Sequence, residues 1–345
     1  MAEKVLIAMS GGVDSAVAAL MLLEAGYDVS AVTFLVTSDS AATAEDARRV
    51  AEKLSIDHHI VDYTKQFKED VMDFFAESYK KGLTPNPCVR CNKRIKFGRL
   101  LDFTAERGYG YLATGHYAKN ERDAMSGKPR LKMGKDLTKD QSYFLYTLTE
   151  SVLSRVMFPL GNLDKKTVRN IAQKHRLVNA EKPESQDICF IKDDYRDFLA
   201  EYLNSPVGES GDFVDTAGIP LGRHRGIFAY TVGQRRGMGI SSDAPLYVIG
   251  KNAEKNQVIL GKENELYADT LTATDVTTVS GEGFDENTVY DARIRYSKQT
   301  AKARVLSEKD GGIKVEFLTP QRAVASGQSV VIYDGDTVVG GGIIK

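Results

Sequence analysis

The sequence lacks the features of secreted and membrane proteins. Its 345 residues include only three cysteines, too few for a disulfide framework, which predicts a reducing cytoplasm as the compartment. No apolar run reaches about eighteen residues, so no membrane-spanning helix is expected. The first residues enter a strand without the pattern of a signal peptide. Repeats and low-complexity segments are also absent, and the length and 42% hydrophobic content predict two or three domains with buried cores.

The chain also has almost no net charge, and the value of −1 argues on its face against a nucleic-acid partner. The basic residues are nevertheless clustered, and the stretch from Lys80 to Leu101 contains no acidic residue. Such clusters are typical of surfaces that bind a phosphate backbone, although any single one could equally be a solvated face. The four basic clusters are Lys80, Lys81, Arg90, Lys93, Arg94, Lys96 and Arg99; Lys128, Arg130, Lys132, Lys135 and Lys139; Arg223, Arg225, Arg235 and Arg236; and Arg293, Arg295, Lys298, Lys302 and Arg304.

The apolar run Val5–Ala8 is followed by Ser10–Ser15, with the sequence SGGVDS, and then by the apolar segment Ala16–Leu23. This order predicts a strand, a glycine-rich turn and a buried helix that ends at Gly26. Adjacent glycines let the backbone approach an anion, and the N–H groups at the start of the helix point toward it. Asp14 fits an anion site if a cation such as Mg²⁺ accompanies a phosphate. The alternative is that the glycines serve turn geometry alone.

This loop lacks the Gly-Lys-Ser/Thr of a Walker loop and the Gly-x-Gly-x-x-Gly of a dinucleotide fold. It resembles the pyrophosphate loop of the N-type ATP pyrophosphatases. These enzymes cleave ATP between the α and β phosphates and adenylate a substrate oxygen. The resemblance implies ATP as a cosubstrate but does not identify the other substrate.

Residues 1–120 alternate between strand and helix patterns, which predicts an α/β fold with a doubly wound parallel sheet. Ligands of such sheets bind at the carboxyl ends of the strands. Both Ser10–Gly12 and the pair Gly115 and His116 fall at predicted strand ends. We therefore expect these segments to lie at one ligand site.

Two helix starts have recognisable capping residues. Thr43 with Asp46 has the spacing of a capping box, and Asp164 can cap a helix further along. Residues 121–205 are mostly helical in pattern. The first domain is therefore predicted to be an ATP pyrophosphatase domain with a helical extension, spanning residues 1–205.

From about Pro206 glycines become frequent and the apolar runs become short and alternating. This pattern predicts a small central β-rich domain over residues 206–270 and a closed β-barrel over residues 271–345. Asp334 and Gly335 have the composition of a hairpin turn within the barrel.

All three cysteines lie in two short stretches, Thr84–Gly98 and Glu184–Ile191. Cys88 and Cys91 form a Cys-x-x-Cys pair among basic residues, surroundings that lower a thiol pKa and favour the thiolate. Structural zinc would need a fourth ligand, and no histidine lies near Cys189 at the usual spacing. Three inert buried thiols are commoner in general, but the Pro-Asn-Pro turn and the basic neighbours argue against that interpretation for the first pair.

These motifs together resemble the bacterial tRNA-specific 2-thiouridylase family, in order and over nearly the whole chain. The matching segments are Ser10–Ser15, Asn86–Phe97, Gly115–Tyr117, Lys139–Tyr143, Ser185–Phe190, Tyr230–Gly237 and Gly327 with Gln328. The family has a pyrophosphatase-type domain, a small central domain and a C-terminal β-barrel. It replaces the C2 oxygen of the wobble uridine of certain tRNAs by sulfur. The resemblance therefore implies a tRNA-uridine 2-sulfurtransferase that uses ATP and Mg²⁺.

The resemblance also implies roles for individual residues. ATP would adenylate the C2 oxygen, a persulfide on Cys189 would supply the sulfur, and Cys91 would act as the nucleophile that attacks or resolves it, leaving a disulfide. The residues implied at the ATP site are Ala8, Met9, Ser10, Gly11, Gly12, Val13, Asp14, Ser15, Phe34 and Gly115; those at the target base are Asn86, Pro87 and Cys88; and those at tRNA are His116, Lys139, Asp140, Gln141, Arg295, Tyr296 and Gln328. The implied partners are a tRNA with a modifiable wobble uridine and a sulfur-donor protein, either a desulfurase or a relay protein.

Cys88 departs from the commoner pattern of the family, which has Asp at this position as a proposed acid/base. Some relatives with Cys-x-x-Cys resemble cluster enzymes, in which Cys88, Cys91 and Cys189 would ligate three irons of a 4Fe–4S cluster. We favour the persulfide scheme and keep the cluster scheme as its alternative. Two other functions remain open at this point. One is an amide-forming synthetase, which needs the loop but no cysteines, and the other is a tRNA-binding protein with a vestigial nucleotide site.

Overall fold

Strands and helices alternate along the first half of the protein. The computed structural model describes residues 2–37, 40–180, 188–191, 193–204 and 208–345. The predicted domain boundary after residue 205 lies outside the described residues, as do Ser185, Gln186 and Asp187 of the second cysteine stretch. The first strands are β1 (Lys4–Ala8), β2 (Asp28–Leu35), β3 (His58–Asp62), β4 (Tyr111–Thr114), β5 (Ala118–Arg122), β6 (Pro129–Met133) and β7 (Val156–Met157). The helices are α1 (Val13–Glu24), α2 (Ser40–Leu54), α3 (Thr64–Phe67), α4 (Asp73–Lys80), α5 (Pro87–Cys91), α6 (Leu100–Glu106), α7 (Glu150–Leu153), α8 (Lys165–Lys174) and α9 (Tyr195–Tyr202), with π-helical turns at Lys68–Met72 and Asn92–Arg99.

Five of these strands form the predicted parallel sheet, in the order β3-β2-β1-β4-β7. Successive side chains of the central strand β1 enter two different cores, because strand residues alternate between faces. Val5 and Ile7 pack with α1, α2 and α8 on one face, whereas Leu6 packs with α6 on the other. The sheet is thus covered on both faces, and the doubly wound prediction is confirmed.

The helix boundaries agree with the sequence in part. Helix α1 ends before Gly26, which has a φ of +86°, and the side chain of Asp164 caps α8 by accepting from the N–H of Thr167 at 2.7 Å. The capping box at Thr43 and Asp46 is wrong, because α2 already begins at Ser40 and both residues lie inside it. None of the described helices is long and apolar enough to cross a membrane.

The helical pattern predicted for residues 121–205 is wrong at its start. Strands β5 and β6 form an antiparallel hairpin there, and Lys132 of β6 pairs with Thr337 near the end of the chain. The alternation of polar and apolar residues from Arg130 to Met133 suits a strand with one buried face. The hairpin therefore extends the C-terminal sheet from within the first domain.

The second half of the chain is built from β-strands, as predicted. Strands β8 (Gly211–Val214), β9 (Pro220–His224), β10 (Tyr247–Asn252) and β11 (Gln257–Gly261) form a sheet in the order β10-β11-β8-β9. Strands β12 (Tyr267–Thr278), β13 (Tyr290–Arg293), β14 (Ala301–Ser307), β15 (Ile313–Arg322), β16 (Ser329–Asp334) and β17 (Thr337–Ile344) form a barrel. Pairing of β12 with both β15 and β17 closes the barrel, and the hairpin predicted at Asp334 and Gly335 joins β16 to β17. The domain bounds drawn from the sequence stay predictions.

Candidate functional site

The carboxyl ends of β1, β2 and β4 open into a cavity of about 480 Å³. This is the edge of a parallel sheet at which ligands bind in such folds. The residues assigned from the sequence that line it are Ala8, Met9, Ser10, Asp14, Ser15, Phe34, Pro87, Cys88, Cys91, Gly115, His116, Gln141 and Cys189. Lys96 and Phe144 also line it, although neither was among the residues predicted to form the ligand site.

The turn between β1 and α1 has the geometry of an anion-binding loop. Among the residues that the structure describes, no side chain caps the start of α1, so the leading N–H groups of the helix are available to an anion. The Ser15 hydroxyl donates to the carbonyl of Gly12 at 3.2 Å and accepts from the N–H of Ser10 at 3.3 Å, which holds the turn closed. Gly11 has a φ of +65°, and a Cβ added there would lie 2.6 Å from Cβ of Asp46. The loop therefore packs against α2 only because residue 11 is glycine.

The carboxylate of Asp14 is held by two residues that lie far away in the sequence. Nζ of Lys165, at the start of α8, donates to both carboxylate oxygens at 2.6 and 2.8 Å, and the hydroxyl of Tyr117 donates to Oδ1 at 2.7 Å. Sequence reasoning missed Lys165, because 151 residues separate it from Asp14 and its own surroundings carry no motif. One carboxylate beside a phosphate site is the donor set that Mg²⁺ usually takes from a protein, so Asp14 fits a magnesium–nucleotide complex.

Gly115 and His116 follow β4 and lie against the start of α1. A Cβ added at Gly115 would lie 2.9 Å from the backbone nitrogen of Ser15, so glycine permits this close approach. Nδ1 of the buried His116 lies 2.7 Å from the hydroxyl oxygen of Thr114. Burial lowers the pKa of His116 well below its usual value, and the positive charge of Lys96 acts in the same direction. The ring is therefore neutral at physiological pH.

Cys88 and Cys91 lie one turn apart on the short helix α5. The helix begins at Pro87, a favoured first residue, and the side chain of Asn86 caps it by accepting from the N–H of Val89 at 3.4 Å. This start directs both thiols into the cavity wall, where Cys91 is buried and Cys88 is half-buried.

Cys189 reaches the same cavity from a separate segment. It is exposed, and the neighbouring Phe190 anchors it to the first domain through ring contacts with Phe67 at 5.6 Å and Phe75 at 5.5 Å between centroids. The segment that carries the third cysteine therefore lines the same cavity as the loop at Ser10–Ser15. Cys189 thus lies at the same site as Cys88 and Cys91, although it is distant from them in sequence.

The electrostatics of the thiols differ from the expectation drawn from their basic neighbours. Burial raises the pKa of Cys91 to about 12 and the pKa of Cys88 above its usual value. The pKa of Cys189 is raised as well, because protein atoms around the thiol displace water even though the residue as a whole is exposed. The ammonium group of Lys96 opposes the shift at all three thiols but is outweighed by burial. The prediction of lowered thiol pKa values is therefore wrong for the free protein, since basic residues count less than the loss of water.

The arrangement of the thiols does not fit a preformed metal centre. Across the described ranges, no group of three or more His, Cys, Asp or Glu side chains is arranged to hold a metal ion.

Three family models together match nearly the whole chain. The tRNA methyl transferase HUP domain matches residues 3–193, the tRNA methyl transferase PRC-barrel domain residues 196–262, and the aminomethyltransferase beta-barrel domain residues 268–344. The tRNA-specific 2-thiouridylase MnmA of Treponema denticola is 44% identical, with 99% of this chain and 98% of that protein covered. The protein of the same name from Clostridioides difficile is 43% identical, with 100% and 99% covered. The chain belongs to the tRNA-specific 2-thiouridylase family.

Two of the residues that the 2-thiouridylase family pattern assigns to tRNA are exposed, and one of them contacts the cavity lining. Tyr296 is 49% exposed, and its ring lies 4.5 Å from that of Phe144, which lines the cavity. Arg295 is also exposed and donates to the carbonyls of Arg322 and Ala323. An aromatic surface with a neighbouring cation therefore leads from the barrel into the cavity.

Two other residues of the same 2-thiouridylase pattern are turned inward. Asp140 is 2% exposed and pairs with Arg293, and the side-chain amide of Gln328 donates to the carbonyl of Thr84 at 2.8 Å. Lys139 and Gln141 are half-buried between these regions. The roles of all these residues toward tRNA stay predictions.

Proposed function

We propose that the protein catalyses ATP-dependent 2-thiolation of the wobble uridine of tRNA, releasing AMP and pyrophosphate. The observation that carries the proposal is the meeting of the Ser10–Ser15 loop, Cys91 and Cys189 in one cavity. The relatives named as tRNA-specific 2-thiouridylases support the choice of substrate. An amide-forming synthetase would use the loop, but its reaction would not require the cysteine thiols.

The first step is adenylation. The C2 oxygen of uridine attacks the α-phosphate of ATP, and the bond to pyrophosphate breaks because the free N–H groups of α1 receive the leaving group. Asp14 would hold Mg²⁺ with the nucleotide, and the ammonium of Lys165 would donate a charge-assisted hydrogen bond to a phosphate. A carbonyl oxygen is thereby converted into the leaving group AMP.

The second step is sulfur transfer. The terminal sulfur of a persulfide on Cys189 attacks C2, and AMP leaves with the former carbonyl oxygen. Cys91 then attacks the Cys189 sulfur, the persulfide bond breaks, and its electron pair stays on the sulfur that becomes the thiocarbonyl. Two cysteine thiols are oxidised to one disulfide as the transferred sulfur is reduced. A sulfur-donor protein and a thiol reductant restore the starting state.

The direct test measures both products of the reaction. Purified protein, ATP, an unmodified tRNA transcript and a cysteine desulfurase with cysteine should yield thiolated tRNA, seen by retardation in a mercury-containing gel, together with pyrophosphate. Asp14→Ala should lose both products, while Cys91→Ser and Cys189→Ser should lose thiolation. Pyrophosphate release that needs an amine and no tRNA would favour a synthetase instead. If no pyrophosphate is released under any condition, the result would favour a tRNA-binding protein without catalytic activity.

Cys88→Asp tests the route of the sulfur. In the persulfide scheme Cys88 only borders the target base, so the Asp variant, which matches the commoner family pattern, should retain thiolation without iron. In a cluster scheme the loss of one thiolate should remove iron and activity together, because a carboxylate is a poor ligand for such irons. The measurements are iron content and absorbance of protein purified without oxygen. Iron in the parent protein, with loss of both iron and thiolation in the variant, would contradict the persulfide route.

A further inference from the structure

Two contacts of the C-terminal barrel lie beside segments that line the cavity, and the first of them is an ion pair. Nη1 of Arg293, at the end of β13, donates to Oδ2 of Asp140 at 2.7 Å, and the two side chains are 5% and 1% exposed. The guanidinium also lies 4.7 Å from the centroid of the Tyr333 ring and donates to Sδ of Met133 at 3.1 Å. This buried pair joins the barrel to the segment that immediately precedes Gln141.

The carboxylate of Asp140 also accepts hydrogen bonds from residues of its own segment. Oδ1 accepts from the N–H groups of Gly134 at 3.0 Å and Ser142 at 3.1 Å, and Oδ2 accepts from the Ser142 hydroxyl at 3.0 Å. Gln141 lines the cavity and is fixed to Tyr117 by two hydrogen bonds of 2.8 and 3.0 Å. Tyr117 in turn donates to the carboxylate of the nucleotide loop. A continuous series of contacts therefore runs from the barrel to the loop.

The second contact is made to the segment that precedes α5. Nε2 of Gln328 donates to the carbonyl of Thr84 at 2.8 Å, and the N–H of Thr84 donates to the carbonyl of Ser326 at 2.8 Å. Between them, Gly327 has a φ of +90°, and a Cβ there would lie 2.9 Å from Cβ of Leu83. The barrel thus holds the backbone that leads directly into the Cys-x-x-Cys helix.

We propose that Arg293 and Gln328 are positioning residues, through which the barrel fixes the two segments that carry Gln141 and the thiols. Asp140 and Gln328 then act inside the protein rather than as contacts to tRNA. A buried ion pair is a poor source of stability, because desolvation offsets most of its attraction, but its hydrogen-bond geometry is directional. Orientation of the cavity wall is the use that fits such a pair. This inference rests on the proposed function wherever turnover is measured.

The test uses the full chain with two kinds of variant. The double variant Arg293→Met/Asp140→Asn removes both charges, so no buried charge is left unpaired. Gln328→Ala removes the second contact without touching any charge. Their controls are Lys314→Met, which breaks an exposed barrel ion pair with Glu316, and Gln321→Ala, which removes an exposed barrel amide.

We expect faster hydrogen exchange near each altered contact and a lower turnover rate. Hydrogen exchange should accelerate at residues 134–142 in the double variant and at residues 84–92 in Gln328→Ala, with the rest of the chain unchanged. Turnover at saturating ATP and tRNA should fall about 10- to 100-fold, since small misplacements of reacting groups have effects of that size. Affinity for tRNA should stay at the parent value. Both controls should match the parent protein in all three measurements.

Two outcomes would overturn the inference. Loss of tRNA affinity with unchanged turnover would identify these side chains as tRNA contacts. Parent-like exchange and turnover in folded variants would show that the barrel does not position the cavity. Hydrogen exchange needs no reaction, so it tests the positioning role even if the parent protein fails to thiolate tRNA. In that case the proposed function fails and the exchange result still decides the inference.

Discussion

Lys165 is the residue whose removal should most directly weaken nucleotide binding. Its ammonium group pairs with Asp14 in the loop, and its side chain is only 13% exposed. Lys165→Met should lower the affinity for a non-hydrolysable ATP analogue about 10- to 100-fold, because a hydrogen bond to a charged group contributes about 1.5–3 kcal/mol. Calorimetric titration with the analogue and Mg²⁺ measures this. Lys166→Met, at the exposed next position of α8, is the matched control, and an equal loss in both variants would contradict a specific role.

Cys91 should be slow to react in the free protein. Its pKa is raised to about 12 by burial, so the thiol stays protonated at neutral pH and thiolate forms only as the pH rises beyond its ordinary value of 9. Alkylation by iodoacetamide, followed by mass spectrometry between pH 7 and 10, should label the exposed Cys189 first and Cys91 last. Lys96→Met should slow Cys91 further, since the lost positive charge favoured the thiolate. Complete labelling of Cys91 at pH 7 before Cys189 would contradict this order.

The sequence predicts site residues well where they are contiguous. Ser10, Asp14 and Ser15 line the cavity because the turn and helix that position them are encoded within a few neighbouring residues. Lys165 and Tyr117 contact the same loop only in the folded sheet domain, so no local sequence pattern predicts these contacts. The thiol pKa values were mispredicted for a related reason, since burial is a property of the folded chain.

At the level of elements, the close packing of the loop against α2 requires glycine at position 11. Gly11→Ala should abolish ATP-analogue binding and lower the melting temperature, because the new Cβ would lie 2.6 Å from that of Asp46. Gly26→Ala shares the positive φ but has no atom within 4 Å of the new Cβ, so it should lose only about 1–2 kcal/mol of stability. Thermal unfolding and analogue titration of both variants test this. Similar binding in the two would show that the loop tolerates a side chain.

Elements defined by their own periodicity were predictable, and elements that depend on partners were not. Strand β1 and helix α1 carry continuous apolar runs, and α8 carries its own cap at Asp164. Hairpin β5–β6 pairs with β17, which lies some two hundred positions later, so its strand character depends on tertiary contact. The π-helical turn at Asn92–Arg99 was likewise not predictable, because it changes helix geometry without changing composition.

For the whole molecule, the order of sheet, central β unit and barrel follows from composition, but the contacts between them do not. The Arg293–Asp140 pair joins residues 153 positions apart, and neither has a sequence pattern that would pair them. The sequence also cannot reveal which cations of the basic clusters have a carboxylate partner in the folded protein. In the second cluster, Lys128 pairs with Glu150 at 3.3 Å and Arg130 with Asp123 at 3.7 Å.

These differences in ion pairing predict how the affinity for tRNA depends on salt concentration. Each phosphate neutralised by a protein cation releases counterions, so the logarithm of affinity should fall linearly with the logarithm of salt concentration. Arg295 is exposed and makes its hydrogen bonds to neutral carbonyls, so its charge is available to a phosphate. Arg295→Met should reduce the slope by about one.

The charge of Arg130 is already matched by Asp123, so Arg130→Met should change the slope by clearly less than Arg295→Met does. Arg48→Met removes an exposed cation that Glu45 and Glu52 enclose on α2, and it should leave the slope unchanged. Filter binding at several salt concentrations, with one tRNA transcript and all three variants, measures the slopes. Equal effects of Arg130→Met and Arg295→Met would mean that the carboxylate partner does not screen Arg130 from the phosphate. An affinity independent of salt would show that the basic clusters are solvated surface, and tRNA would then have to be held by stacking on Tyr296 and by neutral hydrogen bonds.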